Sequence, residues 1–208
     1  MNAQDAYISQ IRTMTDEINA MFEDVPEDIL YKRPGPSLNP VGWNYWHLLR
    51  IWDMWLNVQI HGRDVSEDTW HRGGFSEKSG YNPDGKGGRG GGTGMGYTDA
   101  EVDEVQIPLE IIQEYQRQLQ AETEEYLRGA DEDELNRSVP YWAGEITCAK
   151  MIEQSIRNGW MHYGEMRYAK GMLGRPDVQL SGTVGERASE GRLPPPRRDQ
   201  PPDYALHS

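Results

Sequence analysis

Hydrophobic side chains recur at helical spacing in four long segments of the chain. The first segment, residues 5–24, places apolar residues three or four positions apart and is followed by Pro26. The second, residues 41–58, is apolar on nearly every side and comes directly after Asn39 and Pro40, a pair typical of a helix start. Apolar residues on one side predict an amphipathic helix, and a helix that is apolar all round is buried. We therefore predict an amphipathic first helix and a buried second helix.

The third and fourth helical segments follow a long break. Thr98 and Glu101 form a capping-box pattern at the start of the third helix, which Pro108 either kinks or divides. Thr147 is a typical cap for the fourth helix, which is expected to end at Gly174.

Glycine and polar residues dominate residues 62–96, the connection between the second and third helices. A connection of this length predicts that the two helices run parallel, because antiparallel neighbours need only a short loop. The chain is therefore predicted to be all-α, a four-helix bundle running up, down, down, up with a Gly-rich crossover. Loops of this length are often functional lids, and this one has four expected anchors: Trp70, His71, Phe75 and Tyr81. Residues 139–142 are expected to be extended.

The last part of the chain differs in composition from the bundle. Residues 176–208 contain many prolines and few large apolar side chains, so they cannot bury enough surface to offset the entropy of ordering. We predict one bundle domain over residues 1–175 and an extended or disordered Pro/Arg-rich tail over residues 176–208.

Charge and cysteine content narrow the class of protein. The chain has 34 acidic and 21 basic residues, a net charge of −13 that repels nucleic acid. The single cysteine, Cys148, rules out an internal disulfide, and its place at a helix start favours packing over nucleophilic chemistry. No signal peptide or membrane-length apolar run is present in the sequence. A cytoplasmic protein without nucleic-acid or membrane partners is expected.

The strongest chemical signal is a pair of histidines with an amide neighbour. Asn158 and His162 are four residues apart in the fourth helix, so their side chains share one face and can converge on one point. His47 lies among aromatic residues in the buried second helix, where its ring nitrogens need a partner. That partner is either a metal ion or a carboxylate. A helical histidine beside an amide is more often a hydrogen-bonded interior residue than a ligand, so spacing alone does not decide.

Three stretches resemble the DinB-like superfamily of metal-binding four-helix bundles. They are residues 42–53 (GWNYWHLLRIWD), residues 94–102 (GMGYTDAEV) and residues 162–174 (HYGEMRYAKGMLG). The resemblance covers residues 5–174 and is closest to the branch that includes mycothiol-dependent maleylpyruvate isomerase. It implies a divalent metal, zinc or nickel, and a low-molecular-weight thiol that is moved onto or off an electrophile.

The resemblance places the metal ligands at His47, Asn158 and His162. Asn158 departs from the family, which has His or Glu at this position, and an amide oxygen is a neutral and weaker ligand. Glu165 stands where the family usually has Gln, and it would serve either as a ligand or as a hydrogen-bond acceptor for a ligand imidazole. A further His of the branch is replaced here by Trp55.

Two classes of function remain open at this point. One is a metal-dependent thiol S-transferase or isomerase with a weakened metal site, in which Arg50 either orients a substrate carboxylate or pairs with a glutamate of the third helix. The other is a metal-free small-molecule-binding or regulatory module with an aromatic pocket formed by Trp43, Trp46, Tyr163 and the crossover loop. A small molecule is the expected partner, and a homodimer is an assembly left open. The residues expected around the site are Trp43, Arg50, Met54 and Glu165.

Overall fold

Helices form about two-thirds of the computed structural model, which describes residues 2–23, 25–88 and 91–174. The helices are α1 (Ala3–Phe22), α2 (Glu27–Leu30), α3 (Val41–Asp53), α4 (Thr69–Arg72), α5 (Phe75–Ser79), α6 (Asp99–Asp103), α7 (Leu109–Gly129), α8 (Glu132–Asn136) and α9 (Cys148–Met172). The long helices α1, α3, α7 and α9 pack against one another around the core. The predicted all-α class is confirmed. The predicted tail, residues 176–208, lies outside the described residues.

Contacts near the helix ends show how the long helices run. Lys170 Nζ donates to the Met21 carbonyl at 2.7 Å, which joins the last turns of α9 and α1, so these two helices run in the same direction. Gln4 Nε2 donates to the Ala130 carbonyl at 2.8 Å, which joins the start of α1 to the end of α7. Helix α7 therefore runs opposite to α1 and α9.

Helix α3 is the centre of the core. All 13 of its residues are buried, as its nearly continuous apolar sequence predicts. The helix does not continue regularly to residue 58, because Met54–Ile60 is π-helical. A π-helical turn contains an extra residue, which changes the direction of the following side chains, and such turns are frequent at functional sites.

The crossover between α3 and α7 is more ordered than its composition suggests. It contains a 3₁₀ turn, Val65–Glu67, as well as α4, α5 and α6. Trp70 and Phe75 are fully buried and Tyr81 is nearly so, which confirms that aromatic side chains anchor this segment. The Thr98 capping box is present but opens the short helix α6, and Pro108 stands at the N-cap of α7. Proline thus divides the predicted third helix, because it cannot donate the hydrogen bond of a helix interior.

A β-hairpin precedes α9 and is the one sheet of the described residues. Strands β1 (Ser138–Tyr141) and β2 (Gly144–Thr147) pair antiparallel, with Val139 opposite Ile146. Thr147 then caps α9, since its side chain accepts from the Lys150 amide, as the sequence predicts. Across the part of the chain that the structure describes, no helix is both long enough and apolar enough to cross a membrane.

Candidate metal centre

Two buried histidines face each other between α3 and α9. The ring centroids of His47 and His162 are 5.0 Å apart with an interplanar angle of 83°. Both residues are less than one-tenth exposed. Rings at this separation can share one ion with nitrogen–zinc bonds of about 2.0–2.1 Å. The fold therefore brings together the two histidines that the sequence singles out.

The Nδ1 atoms of both histidines have hydrogen-bond partners. His47 Nδ1 donates to the Thr93 carbonyl through a short hydrogen bond, and His162 Nδ1 lies 2.7 Å from Glu165 Oε2. Metal-ligating histidines typically donate one ring N–H to a carbonyl or carboxylate, which leaves the other nitrogen free to bind the metal. Because Thr93 and Glu165 occupy the Nδ1 atoms, Nε2 of each ring is the nitrogen that remains to bind a metal ion. These two imidazole nitrogens fit a divalent transition metal.

The environment of His47 keeps its imidazole neutral at physiological pH. Burial, followed by the nearby His162, lowers the pKa of His47 to about 4, while the hydrogen bond to Thr93 opposes the shift. A neutral imidazole has the lone pair that a metal requires. His47 is thus ready to act as a ligand well below pH 7.

The crossover covers His47 through a glycine. Gly94 has a φ of +91°, and a Cβ added there would lie 2.6 Å from His47 Nδ1 and 2.9 Å from the Trp43 ring. Trp43 stacks on the imidazole with centroids 4.6 Å apart and an interplanar angle of 19°. The Gly94 backbone therefore packs closely against the rings of both His47 and Trp43, a contact that requires glycine at this position.

Gly94→Ala is expected to displace the loop or His47, because the new methyl group has no space and the backbone is left-handed. We expect a loss of about 1–3 kcal/mol in the free energy of unfolding and a loss of metal affinity. Gly62→Ala is the matched control, since Gly62 has a φ of +67° but no atom within 4 Å of the added Cβ. Urea unfolding and zinc titration of both variants check this. Equal effects of the two substitutions would contradict close packing of Gly94 on His47.

The lowered pKa of His47 predicts a pH dependence of stability. The unfolded state, with an ordinary histidine pKa of 6.5, binds more protons than the folded state between pH 6.5 and pH 4. The stabilisation is therefore complete above pH 6.5 and is lost as the pH falls towards 4, by roughly 3 kcal/mol in the metal-free protein. Urea unfolding of EDTA-treated wild type and His47→Gln between pH 7.5 and pH 4.5 isolates this effect, because the other titrating groups are common to both. Parallel pH profiles would contradict it.

Asn158 is the predicted third ligand. It is half-buried and lies one turn before His162 on α9. In the described part of the chain, no three His, Cys, Asp or Glu side chains are grouped so as to hold a metal ion. A metal at His47 and His162 therefore needs the neutral amide of Asn158, a substrate atom or water to complete its ligands.

Arg50 is not available to bind a substrate carboxylate. Its side chain is fully buried, and NH1 donates to Asp68 at 2.9 Å and to Asp53 at 3.2 Å. The predicted ion pair thus forms, but with aspartates of α3 and the crossover and not with a glutamate of the third helix. The residue of α7 that contacts this ion pair is Tyr115, whose hydroxyl donates to Asp53 at 2.6 Å.

Asp53 and Arg50 attach the crossover to α3. Asp53 accepts from the backbone amides of Thr69 at 3.1 Å and Trp70 at 3.0 Å, at the start of α4. Arg50 Nε donates to the Gly92 carbonyl at 3.2 Å, next to the residue whose carbonyl binds His47. This buried network therefore positions the segment that orients His47.

A cavity lies near the crossover, and its lining differs from the aromatic pocket that the sequence predicts. Trp43 and Trp46 are buried in an aromatic cluster, and the Tyr163 hydroxyl donates to Glu17 of α1 at 3.0 Å. None of these three side chains is among the residues that line this cavity, and neither is His47 or His162. The observed cavity, here called the hairpin cavity, has a volume of about 260 Å³ and lies between the π-helical turn, the crossover and the hairpin. Its walls include Met54, Trp55, Gln59, Thr93, Tyr141 and Trp142.

Cys148 takes no part in this site. It is fully buried at the start of α9, and burial raises the pKa of its thiol. A thiol in this environment stays protonated at neutral pH.

Sequence reasoning missed the roles of Thr93, Asp53 and Tyr115. Thr93 acts through its backbone carbonyl, which no side-chain pattern reveals. Asp53 gives a weak signal, since an acidic residue at the end of an apolar helix needs buried partners. Tyr115 reads as an ordinary apolar position of an amphipathic helix.

The comparisons with known proteins agree with this architecture. A family model of the DinB superfamily matches residues 10–166. A solved structure, described as a conserved protein of Enterococcus faecalis, is 17% identical with a TM-score of 0.70, and the alignment covers 84% of this chain and 99% of that one. That likeness shows a shared fold. No curated protein matches the chain.

The long helices pack into a bundle with two facing histidines between α3 and α9. The chain belongs to the DinB superfamily, since the family model spans well over half of it. The branch that includes mycothiol-dependent maleylpyruvate isomerase stays a prediction.

Proposed function

We propose that this protein is a metal-dependent thiol S-transferase whose divalent ion, zinc or nickel, is held by His47, His162 and Asn158. One observation carries the proposal: two buried imidazoles face each other, and the Nδ1 atom of each is in a hydrogen bond. The Nε2 atom of each ring is therefore left to bind a metal ion. A divalent ion bound there supplies one chemical function: it lowers the pKa of a coordinated low-molecular-weight thiol, so that thiolate is present at neutral pH.

The residues of the chain orient and shield this site. Thr93 and Glu165 fix the tautomers of the two histidines, and Trp43 holds the His47 ring in place. The crossover, fastened by Arg50 through Gly92, covers His47 and limits the access of water. The hairpin cavity, which shares Thr93 with the surroundings of His47, offers room for the electrophile.

Conjugation of glutathione, cysteine and mycothiol to the neutral single-ring electrophile 1-chloro-2,4-dinitrobenzene, with release of chloride, tests the proposal. With zinc or nickel added, wild type is expected to accelerate conjugation of at least one thiol about tenfold or more over the uncatalysed rate. EDTA and His47→Ala should each abolish the acceleration. Cys148→Ala is the matched control and should retain it, because Cys148 is buried away from the site.

Acceleration that survives both EDTA and His47→Ala would overturn a metal-dependent mechanism. The absence of acceleration with all three thiols would overturn the transferase function itself.

A metal-free binding module is the second candidate, and the neutral Asn158 favours it. The loss of a charged ligand weakens a metal site while leaving the hairpin cavity intact. Metal analysis of purified protein separates the candidates. About one zinc or nickel ion per chain supports the transferase, and ligand binding without metal supports the module.

A further inference from the structure

The lining and the size of the hairpin cavity indicate which substrates the proposed metal site accepts. Thr93 belongs to both, since its carbonyl binds His47 while the residue also lines the cavity. Met54 also lines the cavity, and it lies two helical turns after His47 on the same side of the helix. A molecule in the cavity therefore contacts the residue whose carbonyl binds His47.

The π-helical turn shapes one wall of the cavity. Met54, Trp55 and Gln59 all belong to the π-helical segment Met54–Ile60. The extra residue of a π-helical turn changes which side chains face a neighbouring element, and such turns recur at binding sites. Here the turn faces the hairpin.

The opposite wall carries an aromatic side chain at the tip of the hairpin. Trp142 has a φ of +51° because it is the first residue of the two-residue turn between Tyr141 and Gly144, a position at which such turns need a positive φ. Its ring lies 6.1 Å from that of Tyr141, which in turn lies 6.3 Å from Trp55. Three aromatic rings thus line the cavity.

Gln59 offers a polar side-chain group of the described lining, its amide. Among the nine described residues that line the cavity, none is charged. A carboxylate that loses solvent against such residues, without gaining a cation or several donors, is disfavoured. Arg50, the buried arginine of α3, already pairs with Asp53 and Asp68. The cavity therefore suits a neutral group.

The volume limits the size of that group. A cavity of roughly 150 Å³ is enough to hold a benzene molecule. The hairpin cavity, at about 260 Å³, has room for one ring with a small substituent. Its aromatic walls favour stacked or edge-to-face contacts with such a ring.

We propose that the hairpin cavity binds an uncharged, single-ring aromatic group of the electrophile and that it selects against carboxylates. This inference rests on the proposed function, because it assigns the substrate class of the same site. Trp142 and Gln59 are the specificity-determining residues: the indole packs on the ring, and the amide binds a polar substituent.

Fluorine NMR titrations with 4-fluorobenzamide and 4-fluorobenzoate test the inference with probes of equal size and different charge. Wild type should bind the amide at least about tenfold more tightly than the carboxylate. Trp142→Gly removes the indole and suits the left-handed backbone, and it should weaken amide binding about fivefold or more. Trp160→Ala, an exposed tryptophan on α9, is the control and should leave binding unchanged.

Gln59→Lys is a second variant, and it adds a positive charge without removing a side chain that lines the cavity. The new cation should remove or reverse the preference for the amide. Tighter binding of benzoate to wild type, or amide binding that both Trp142→Gly and Gln59→Lys leave unchanged, would overturn the inference.

Titrations of EDTA-treated and zinc-supplemented protein separate this inference from the proposed function. Selective amide binding without any zinc binding would refute the metal-dependent function. It would leave the inference that the cavity binds an uncharged group standing. Zinc binding at the histidines with no preference for the amide refutes the substrate class and retains the metal site.

Discussion

Asn158→Glu is expected to tighten zinc or nickel binding by at least about tenfold, since perturbing even outer partners of a metal site changes affinity about 10–100-fold. The substitution supplies a charged oxygen on the turn of α9 that precedes His162, without changing the helix register. A carboxylate is a stronger ligand for these ions than an amide. Isothermal titration calorimetry of wild type and variant measures the change.

Two further variants make this result specific. Asn158→Gln keeps a neutral amide and should not produce the gain. Asn158→Glu combined with His47→Ala should lose it, because the carboxylate then has no partner across the bundle. Unchanged affinity in Asn158→Glu, or raised affinity that survives the loss of His47, would show that these side chains do not converge.

Asp53→Ala is expected to lower the free energy of unfolding by about 3–5 kcal/mol, the effect of breaking a buried ion pair by removing one partner. Arg50 keeps Asp68 but loses Asp53, and two amides at the start of α4 lose their acceptor. Metal affinity should fall as well, because the crossover that orients His47 is released from α3. Urea unfolding and zinc titration measure both effects.

Asp16→Ala is the control for Asp53→Ala, since Asp16 is exposed on α1. It should change the free energy of unfolding by no more than about 0.5 kcal/mol. A comparably small effect of Asp53→Ala would mean that the buried network does not hold the crossover.

The bundle was predictable because its signals are local. The apolar run of α3 and the Thr147 cap of α9 each follow from neighbouring residues, and both are present in the structure. His47 and His162 were predictable as a pair because the resemblance adds the contact between distant helices that spacing within one helix cannot provide.

The environment of the site was not predictable, because it depends on contacts distant in sequence. The Thr93 carbonyl is brought to His47 by the path of the crossover, and Asp68 reaches Arg50 in the same way. The π-helical turn reflects packing and has no local sequence signal. A Gly-rich composition indicates a loop, whereas the structure shows that Gly94 is needed for close contact with His47.

Anomalous diffraction from crystals grown with zinc shows directly whether the two histidines share one metal ion. We expect a single strong peak between α3 and α9, about 2.0–2.1 Å from Nε2 of both His47 and His162. A peak bound to only one of these histidines, a peak elsewhere in the bundle, or none at saturating zinc would contradict it.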